Sequence, residues 1–234
     1  MLAQGIYPER LKFSLIKPIY KGGDKSSPSN YRPISLLPVL SKIFEKVIYN
    51  RPFDHFHSNA ILNKHQYGFQ SEMSTENASY ILLNEILRTL NNKQIVGGMY
   101  CDLHKAFDCI NHAIVREKMK FYVVSGKFYN LIKSYLDGRY QKVVLSHNKG
   151  IQFTWEKRRQ GVPQGSILGH ILFLIYINDL PNLTSTGTKI LVYVDDTSMI
   201  VTSPNLENFE TKIENIFGDI NNWFKANQLI LKLQ

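Results

Sequence analysis

The chain has 234 residues, of which 44% are hydrophobic and 12% aromatic, so it can bury a substantial core and is not disordered. Its 28 Lys and Arg residues exceed its 19 Asp and Glu residues, and the net charge of +9 favours an anionic partner such as nucleic acid. The cysteines, Cys101 and Cys109, have neither disulfide-framework nor zinc spacing, and no apolar run approaches the roughly 20 residues of a membrane span. We therefore expect an intracellular protein without a membrane anchor.

The first part of the chain predicts loops and two helices. Residues 1–35 are rich in Lys, Pro and Gly, which predicts extended, turn-rich backbone with basic side chains. Pro38 and Ser41 open a predicted helix that runs to about Tyr49. After a polar loop, a second helix is predicted from about Thr75 to Leu90, because apolar residues recur there every three or four positions.

A strand is predicted at Ile95–Leu103, and its paired glycines allow a bulge or the close approach of another backbone. Helices are predicted over 112–123 and 127–136, followed by a hairpin with strands 141–146 and 152–155 around the turn 147–150. Ser166 is expected to cap a further helix that ends near Asn178.

The remaining elements are a strand–turn–strand over about Lys189–Thr202, a helix over about Asn205–Ala226, and a strand that begins at Leu229. The clearest strand pairs along the chain are local hairpins. The sequence therefore predicts an α+β fold with an antiparallel sheet, and not a doubly wound parallel sheet.

Two adjacent carboxylates, Asp195 and Asp196, are predicted at the tip of the last hairpin, between the apolar runs 190–194 and 198–201. Like charges this close repel each other, and one of the two would normally hold a proton. A divalent cation shared with a phosphate ligand would keep both ionised, as in a two-metal phosphoryl-transfer site. The alternative is an ordinary hairpin turn, since Asp is common in turns.

A two-metal site needs a further carboxylate from another strand, and Asp102 is the candidate because it ends an apolar strand. Asp108 follows Ala106 and Phe107, and we expect it instead at the start of a helix, where a carboxylate is stabilising.

A second functional element is the loop 158–166, with the sequence RRQGVPQGS. Its Gly and Pro residues expose backbone N–H groups, and Gln164 offers both a donor and an acceptor. The predicted helix at Ser166 directs its positive dipole end at the same place, so the loop suits a triphosphate or a template strand. An ordinary turn before a helix is the alternative.

Six stretches that together cover nearly the whole chain stand out: NYRPISLL at 30–37, QYGF at 66–69, DLHKAFD at 102–108, QGVPQGSILG at 160–169, YVDDT at 193–197 and WFKAN at 223–227. Taken in this order, they resemble the reverse transcriptase domain of non-LTR (LINE-type, jockey-like) retrotransposons. The resemblance implies one reverse transcriptase domain over 1–234 with the fold of a right-hand polymerase. Its fingers would occupy mainly about 1–95, and its antiparallel palm about 96–234 with fingers elements interleaved. A thumb is expected to be absent.

The resemblance implies an RNA-directed DNA polymerase that adds dNTPs to a DNA primer on an RNA template during retrotransposition, at a nuclear site of action. Asp102, Asp195 and Asp196 would be the catalytic triad. Asp102 and Asp195 would bind two Mg²⁺ ions, which Mn²⁺ could replace, and Asp196 would tune the site. The remaining expected contacts divide into nucleotide-binding residues and template or primer residues. These are Phe107, Gln164, Gly165 and Arg32 for the nucleotide, and Tyr193, Arg158, Arg159 and Lys17 for the template or primer.

Phe107 is expected to act as a steric gate that rejects the 2′-hydroxyl of rNTPs, with an ordinary core aromatic as the alternative.

Other functions of the whole chain also stay open. A truncated remnant would bind nucleic acid without catalysis, and a missing thumb favours that reading. A group II intron maturase shares the polymerase core. A palm-like nucleotidyltransferase or cyclase is disfavoured by the loop 158–166. Val194 stands where Ala is usual and puts a bulky β-branched side chain in the turn.

Overall fold

A computed structural model of the chain describes residues 2–70, 73–145, 153–183 and 187–232. The helices are α1 (Val39–Ser58), α2 (Thr75–Asn91), α3 (Ala106–Cys109), α4 (His112–Phe121), α5 (Gly126–Leu136), α6 (Ile167–Ile177) and α7 (Leu206–Ala226). The strands are β1 (Phe13–Tyr20), β2 (Tyr31–Leu36), β3 (Ile95–Leu103), β4 (Tyr140–Val143), β5 (Glu156–Lys157), β6 (Thr188–Tyr193), β7 (Asp196–Ser203) and β8 (Leu231–Lys232). None of the helices in these described ranges combines the length and the apolar composition that a membrane span requires.

The chain divides into two compact units. The first unit comprises Met1–His55 and Ile110–Leu172, and the second comprises Phe56–Cys109 and Phe173–Gln234. Each unit contains one four-stranded sheet. The order is β2-β1-β4-β5 in the first unit and β6-β7-β3-β8 in the second.

In the first unit, β1 and β2 form an antiparallel hairpin where the sequence predicted only extended, turn-rich backbone. Two prolines explain why the sequence did not predict these strands. Pro18 pairs with Pro33. Just beyond the last strand pair, the Lys21 N–H donates a hydrogen bond to Asn30 O at 2.9 Å, so Lys21 and Asn30 form a hydrogen-bonded pair. Hydrogen-bonded and non-hydrogen-bonded pairs alternate along an antiparallel ladder, and this alternation makes Pro18 and Pro33 a non-hydrogen-bonded pair. Their missing N–H groups therefore remove no hydrogen bond between the two strands.

The second unit contains the predicted antiparallel sheet, and β3 has the bounds expected from the sequence. Its pairing with β7 is unbroken from Ile95↔Ser203 to Cys101↔Thr197, so the paired glycines make no bulge. They serve side-chain packing instead, because a Cβ on Gly97 would lie 2.4 Å from the Phe209 ring of α7. On the sheet, Tyr67, Leu191 and Ile200 form a buried core that α2 covers with residues such as Ile81 and Leu82.

Five helices, α2 and α4 to α7, begin and end within two residues of their predicted bounds. α1 is longer than predicted, since it continues through Pro52 to Ser58. A proline inside a helix removes one backbone hydrogen bond, and the fully buried Phe56 anchors the turn beyond it. β4 and β5 pair antiparallel as predicted for the hairpin, but the second strand is displaced to Glu156–Lys157, and the turn 147–150 lies outside the described residues.

Candidate active site

Asp102 and Asp196 lie opposite each other at one end of the second unit's sheet. β3 and β7 are paired up to Cys101↔Thr197, and the same register continued by one residue sets Asp102 against Asp196. Burial, and then the charge of Asp102, raise the pKa of the Asp196 carboxyl. A like charge disfavours the ionised form of its neighbour. The structure therefore brings together two of the three predicted catalytic carboxylates.

Asp195 lies in the two-residue turn between β6 and β7, where Tyr193 pairs with Asp196 across the turn. The first turn residue, Val194, has a φ of 56°. A positive φ is a genuine outlier for a β-branched residue and costs on the order of 1–3 kcal/mol. The surrounding structure must therefore hold the turn that carries Asp195 in a strained conformation.

A cation lies beside this carboxylate pair. Lys232 on β8 is the register partner of Asp102, and its Nζ is 3.0 Å from Asp102 Oδ2. An open groove runs past Asp102, Asp196 and Lys232, and the exposed Tyr100 also lines it. The sequence contained no signal for Lys232, because its proximity to Asp102 depends on a pairing between distant strands.

No group of three or more His, Cys, Asp or Glu side chains among the described residues is arranged to hold a metal ion. The Asp102–Asp196 pair nevertheless supplies the hard carboxylate oxygens that Mg²⁺ prefers. Mg²⁺ is usually bound by only one or two protein carboxylates together with substrate phosphates and water. A divalent cation would also relieve the repulsion that raises the pKa of Asp196. The residues present thus fit a metal shared between protein and nucleotide, while the roles of Asp102 and Asp195 as its ligands stay a prediction.

Phe107 is held by other aromatic rings of the second unit. It lies in the short helix α3, and its ring stacks on Phe173 with centroids 4.9 Å apart. Phe69 meets the same ring edge-on, with centroids 6.4 Å apart. Phe107 is half-buried, and both its role as a steric gate and the alternative of a core aromatic stay open. Asp108 lies in the first turn of α3, as expected.

The structure brings two predicted motifs together in the first unit. The Ser35 N–H of β2 donates to Gln164 O at 2.8 Å. The next residue, Gly165, has a φ of +109°, and a Cβ at this position would lie 3.1 Å from Ser35 O. Arg32 is exposed on the same strand, three residues before Ser35. Gln164, Gly165 and Arg32 therefore belong to connected segments, and their contact with one nucleotide stays a prediction.

The N-terminus of α6 does not offer its first amides to a ligand, contrary to the expectation from the sequence. Glu45 Oε2 accepts hydrogen bonds from the N–H groups of Ile167, at 2.7 Å, and Leu168, at 3.2 Å. Ser166 caps the helix as predicted, because its Oγ accepts the Gly169 N–H at 3.1 Å. Any ligand of this loop must therefore use groups that precede the helix.

Glu45 belongs to a buried polar network that the sequence analysis missed. Ser41 Oγ donates to Glu45 Oε1 at 3.1 Å, and Ser41 also shares a hydrogen bond of 2.7 Å with the Tyr7 hydroxyl. Glu45 is completely buried on α1. Its carboxylate thus fixes the start of α6, and with it the end of the loop that carries Gln164.

We expect Glu45→Gln to reduce the pH dependence of stability. Burial is the main cause that raises the pKa of Glu45 above its ordinary 4.5, so the folded chain binds this proton more tightly than the unfolded chain. The stability of the native protein should consequently fall as pH rises above 4.5. A neutral amide removes this contribution. Melting temperatures measured between pH 4 and 8 should decline less in E45Q than in the native chain, with the exposed Glu76→Gln as control. Equal declines would contradict this role.

Two of the four predicted basic contacts of the first unit, Lys17 and Arg32, fall on one face of its sheet. The register places Lys17, Arg32, Lys142 and Lys157 on this face, which we call the basic sheet face, and no Asp or Glu of the four strands shares it. The opposite face is buried through Ser14, Ile16 and Ser35. A sheet face with four cationic side chains and no acidic side chain favours the binding of a polyanion.

The other predicted template or primer residues differ in their surroundings. Arg159 is exposed, whereas the half-buried Arg158 donates from Nε to Gln160 O at 2.9 Å and from Nη1 to Gln141 Oε1 at 3.5 Å. Arg158 is therefore engaged within its own unit. Tyr193 packs against the core of the second unit beside α2. Contacts of these residues with nucleic acid stay predictions.

Comparison with known proteins places these features in context. Residues 19–234 match the family model for reverse transcriptase (RNA-dependent DNA polymerase). The chain is 33% identical over 204 residues to the probable RNA-directed DNA polymerase from transposon BS of Drosophila melanogaster, covering 84% of this chain and 22% of that protein. It is 30% identical over 213 residues to the RNA-directed DNA polymerase from mobile element jockey of the same species, covering 88% of this chain and 23% of that protein. The chain spans about a fifth of the length of these relatives.

Solved structures with a similar fold include telomerase from Candida tropicalis in complex with a TWJ fragment of telomeric RNA. The TM-score is 0.67 at 16% identity, covering 95% of this chain and 40% of that chain. The apo form of telomerase from Candida tropicalis aligns with a TM-score of 0.66 at 13% identity, covering 97% of this chain and 45% of that chain. At these identities the likeness concerns the fold, and it confirms the predicted α+β fingers–palm architecture of a right-hand polymerase.

Proposed function

Because the chain belongs to the reverse transcriptase family and resembles the polymerases of non-LTR retrotransposons, we propose that it carries an RNA-directed DNA polymerase centre. The reaction is transfer of a dNMP from a dNTP to the 3′-hydroxyl of a DNA primer on an RNA template. The observation that carries the proposal is the opposition of Asp102, from the DLHKAFD stretch, and Asp196, from YVDD, at one end of the antiparallel sheet.

In the proposed mechanism, the primer 3′-oxygen bonds to the α-phosphorus of the dNTP while the bond to pyrophosphate breaks. Bound Mg²⁺ would lower the pKa of the primer hydroxyl and neutralise charge on the phosphates. Asp102, Asp195 and Asp196 would hold the metal, with Asp102 and Asp195 as the principal ligands. The opposition of Asp196 to Asp102 across β3 and β7 supports a part for Asp196 beyond tuning. Positioning and charge neutralisation would supply most of the rate.

The proposed partners follow from the charges of the first unit. The basic sheet face offers cations, of which Lys17, Arg32 and Lys157 are exposed, to the RNA template or to the template–primer duplex. Arg32, Gln164 and Gly165 lie on connected segments and would contact the dNTP, since Arg grips phosphate oxygens bidentately. We propose that such a polymerase acts inside the cell, at a nuclear site of action, and the resemblance to retrotransposon polymerases supports this proposal.

A primer-extension assay tests this function. The purified chain, a labelled DNA primer, an RNA template and Mg²⁺ should yield products that depend on all four dNTPs and whose sequence complements the template. Reactions that lack either the template or Mg²⁺ are the controls. Tight binding of the primer–template without any extension would support the competing view that this chain is an inactive nucleic-acid-binding remnant. Extension that ignores the template sequence would instead support a template-independent nucleotidyltransferase.

We expect Phe107→Val to weaken discrimination against rNTPs. Phe107 follows Asp102 by five residues, and its stacking on Phe173 would hold the ring in place under a bound sugar. Removing several ring atoms leaves room for a 2′-hydroxyl, and changes of this size in a pocket alter selectivity by about 10- to 200-fold. The measurement is the ratio of kcat/KM for dNTP over rNTP. The exposed Phe121→Val is the matched control, and an unchanged ratio in F107V would contradict the gate.

A further inference from the structure

A segment far from the catalytic carboxylates in sequence runs alongside the strand that leads to them. Gln66 forms an isolated parallel bridge with Val192 of β6. The Val192 N–H donates to His65 O at 2.8 Å, and the Tyr67 N–H donates to Val192 O at 2.7 Å. This pairing brings the Gln66 side chain to the turn that follows β6.

The Gln66 side chain bonds directly to the backbone of that turn. It is only 2% exposed, and its Oε1 accepts hydrogen bonds from Gly68 N, at 2.8 Å, and Val194 N, at 3.2 Å. These two donors determine which end of the amide faces them, because the NH₂ group cannot accept. Val194 is the residue with the strained positive φ. Gln66 thus satisfies the amide of the least favourable residue in the turn.

The other end of the amide shows what this orientation costs. Gln66 Nε2 is buried and has no hydrogen-bond partner in the described part of the chain. A buried donor without an acceptor is destabilising. Side chains in such positions usually find partners for all their polar atoms. The orientation therefore serves the two backbone amides at the expense of the side chain's own donor.

Gly68 packs directly against Val194 of the same turn, and this close approach requires a residue without a side chain. A Cβ on Gly68 would lie 2.4 Å from Val194 Cγ2 and 2.7 Å from Val194 N. Even a methyl group at this position would therefore displace the turn or the segment.

We infer that Gln66 and Gly68 form a clamp that fixes the Val194–Asp195 turn and thereby sets the position of the Asp195 and Asp196 carboxylates relative to Asp102. Gln66 is a positioning residue, since it acts through the backbone of the turn. The clamp itself rests on the hydrogen bonds above. Its consequence for metal binding rests on the proposed function.

The clamp is tested by amide hydrogen exchange at Val194. Gln66→Met keeps the length of the side chain and removes the acceptor, so exchange of the Val194 N–H should accelerate at least 10-fold. Gln66→Glu keeps an acceptor oxygen and should retain protection of that amide. The exposed Gln94→Met is the matched control. Unchanged exchange at Val194 in a folded Q66M would overturn the inference, as would equal acceleration in Q66M and Q66E.

A second readout addresses the carboxylates without requiring catalysis. Mn²⁺ binding in the presence of dNTP, followed by electron paramagnetic resonance, should weaken about 10-fold in Q66M and remain unchanged in Q94M. Faster exchange at Val194 with unchanged Mn²⁺ affinity would overturn the positioning role. If Q66M fails to fold, Gly68→Ala should produce the same two changes, and their absence would overturn the inference. Because neither readout depends on primer extension, an inactive native chain would refute the proposed function and leave the clamp testable.

Discussion

Asp102→Asn is expected to lower the rate of primer extension by about 10²–10³-fold, which is the scale on which single electrostatic groups act at active sites. The substitution removes one of the two carboxylates that oppose each other at the end of the sheet. Fold stability should change little. The ion pair that Asp102 makes with Lys232 is partly exposed, and such pairs contribute only about 0–1 kcal/mol. Single-turnover kinetics and thermal melting of the same preparation therefore separate chemistry from folding.

Asp108→Asn is the matched control, since it makes the same chemical change six residues further along the chain, in α3. The primer-extension rate of D108N should remain within about tenfold of the native rate, which corresponds to a change of roughly 1.4 kcal/mol in the activation free energy. Asp195→Asn should match D102N, because Asp195 is proposed as the other principal ligand. Extension by D102N at more than a tenth of the native rate would contradict a catalytic role of Asp102. Extension by D195N at such a rate would likewise contradict a catalytic role of Asp195.

Affinity for a primer–template duplex is expected to fall by roughly 10³–10⁵ between 50 and 200 mM salt, if the chain contacts 6–10 phosphates. The basic sheet face supplies four cations toward such a contact. Each neutralised phosphate releases counterions, so every lost cation should make the response to salt less steep. Fluorescence anisotropy titrations at several salt concentrations measure the slope directly.

Lys17→Ala and Arg32→Ala should each reduce the slope of log K against log salt by about 1. Lys93→Ala is the control, because Lys93 is exposed and belongs to the second unit, so it is not part of the basic sheet face. A flat salt response of the native chain would show that its excess positive charge serves another purpose. An equal reduction in all three variants would show that the basic sheet face has no special part in binding.

Elements with a strong periodic pattern could be predicted from the sequence. The apolar stripe of α7 and the β-favouring run of β3 gave bounds that differ from the structure by at most one residue. The hairpin of β1 and β2 could not be predicted, because proline usually argues against a strand. Only the pairing shows that Pro18 and Pro33 face each other where no bond between the strands is required.

The site divides in the same way. The three carboxylates proposed for the site could be selected from the sequence because each lies in a short stretch with a recognisable pattern, and their catalytic roles stay predictions. Three supporting residues could not, since their contacts join positions far apart in the chain. The separations are 122 residues for Glu45 and Ile167, 128 for Gln66 and Val194, and 130 for Lys232 and Asp102. Local patterns carry no information about such contacts, which arise only when the sheets and helices have packed.

The opposed prolines also shape the outer border of the first unit's sheet, where β2 is the last strand. In the alternating ladder, Tyr31, Pro33 and Ser35 direct their backbone nitrogens away from β1. The Tyr31 N–H bonds to Pro28 O, Pro33 has no N–H, and the Ser35 N–H bonds to Gln164 O. This border therefore presents no vacant donor on which a strand from another molecule could assemble, and it is protected against edge-to-edge aggregation.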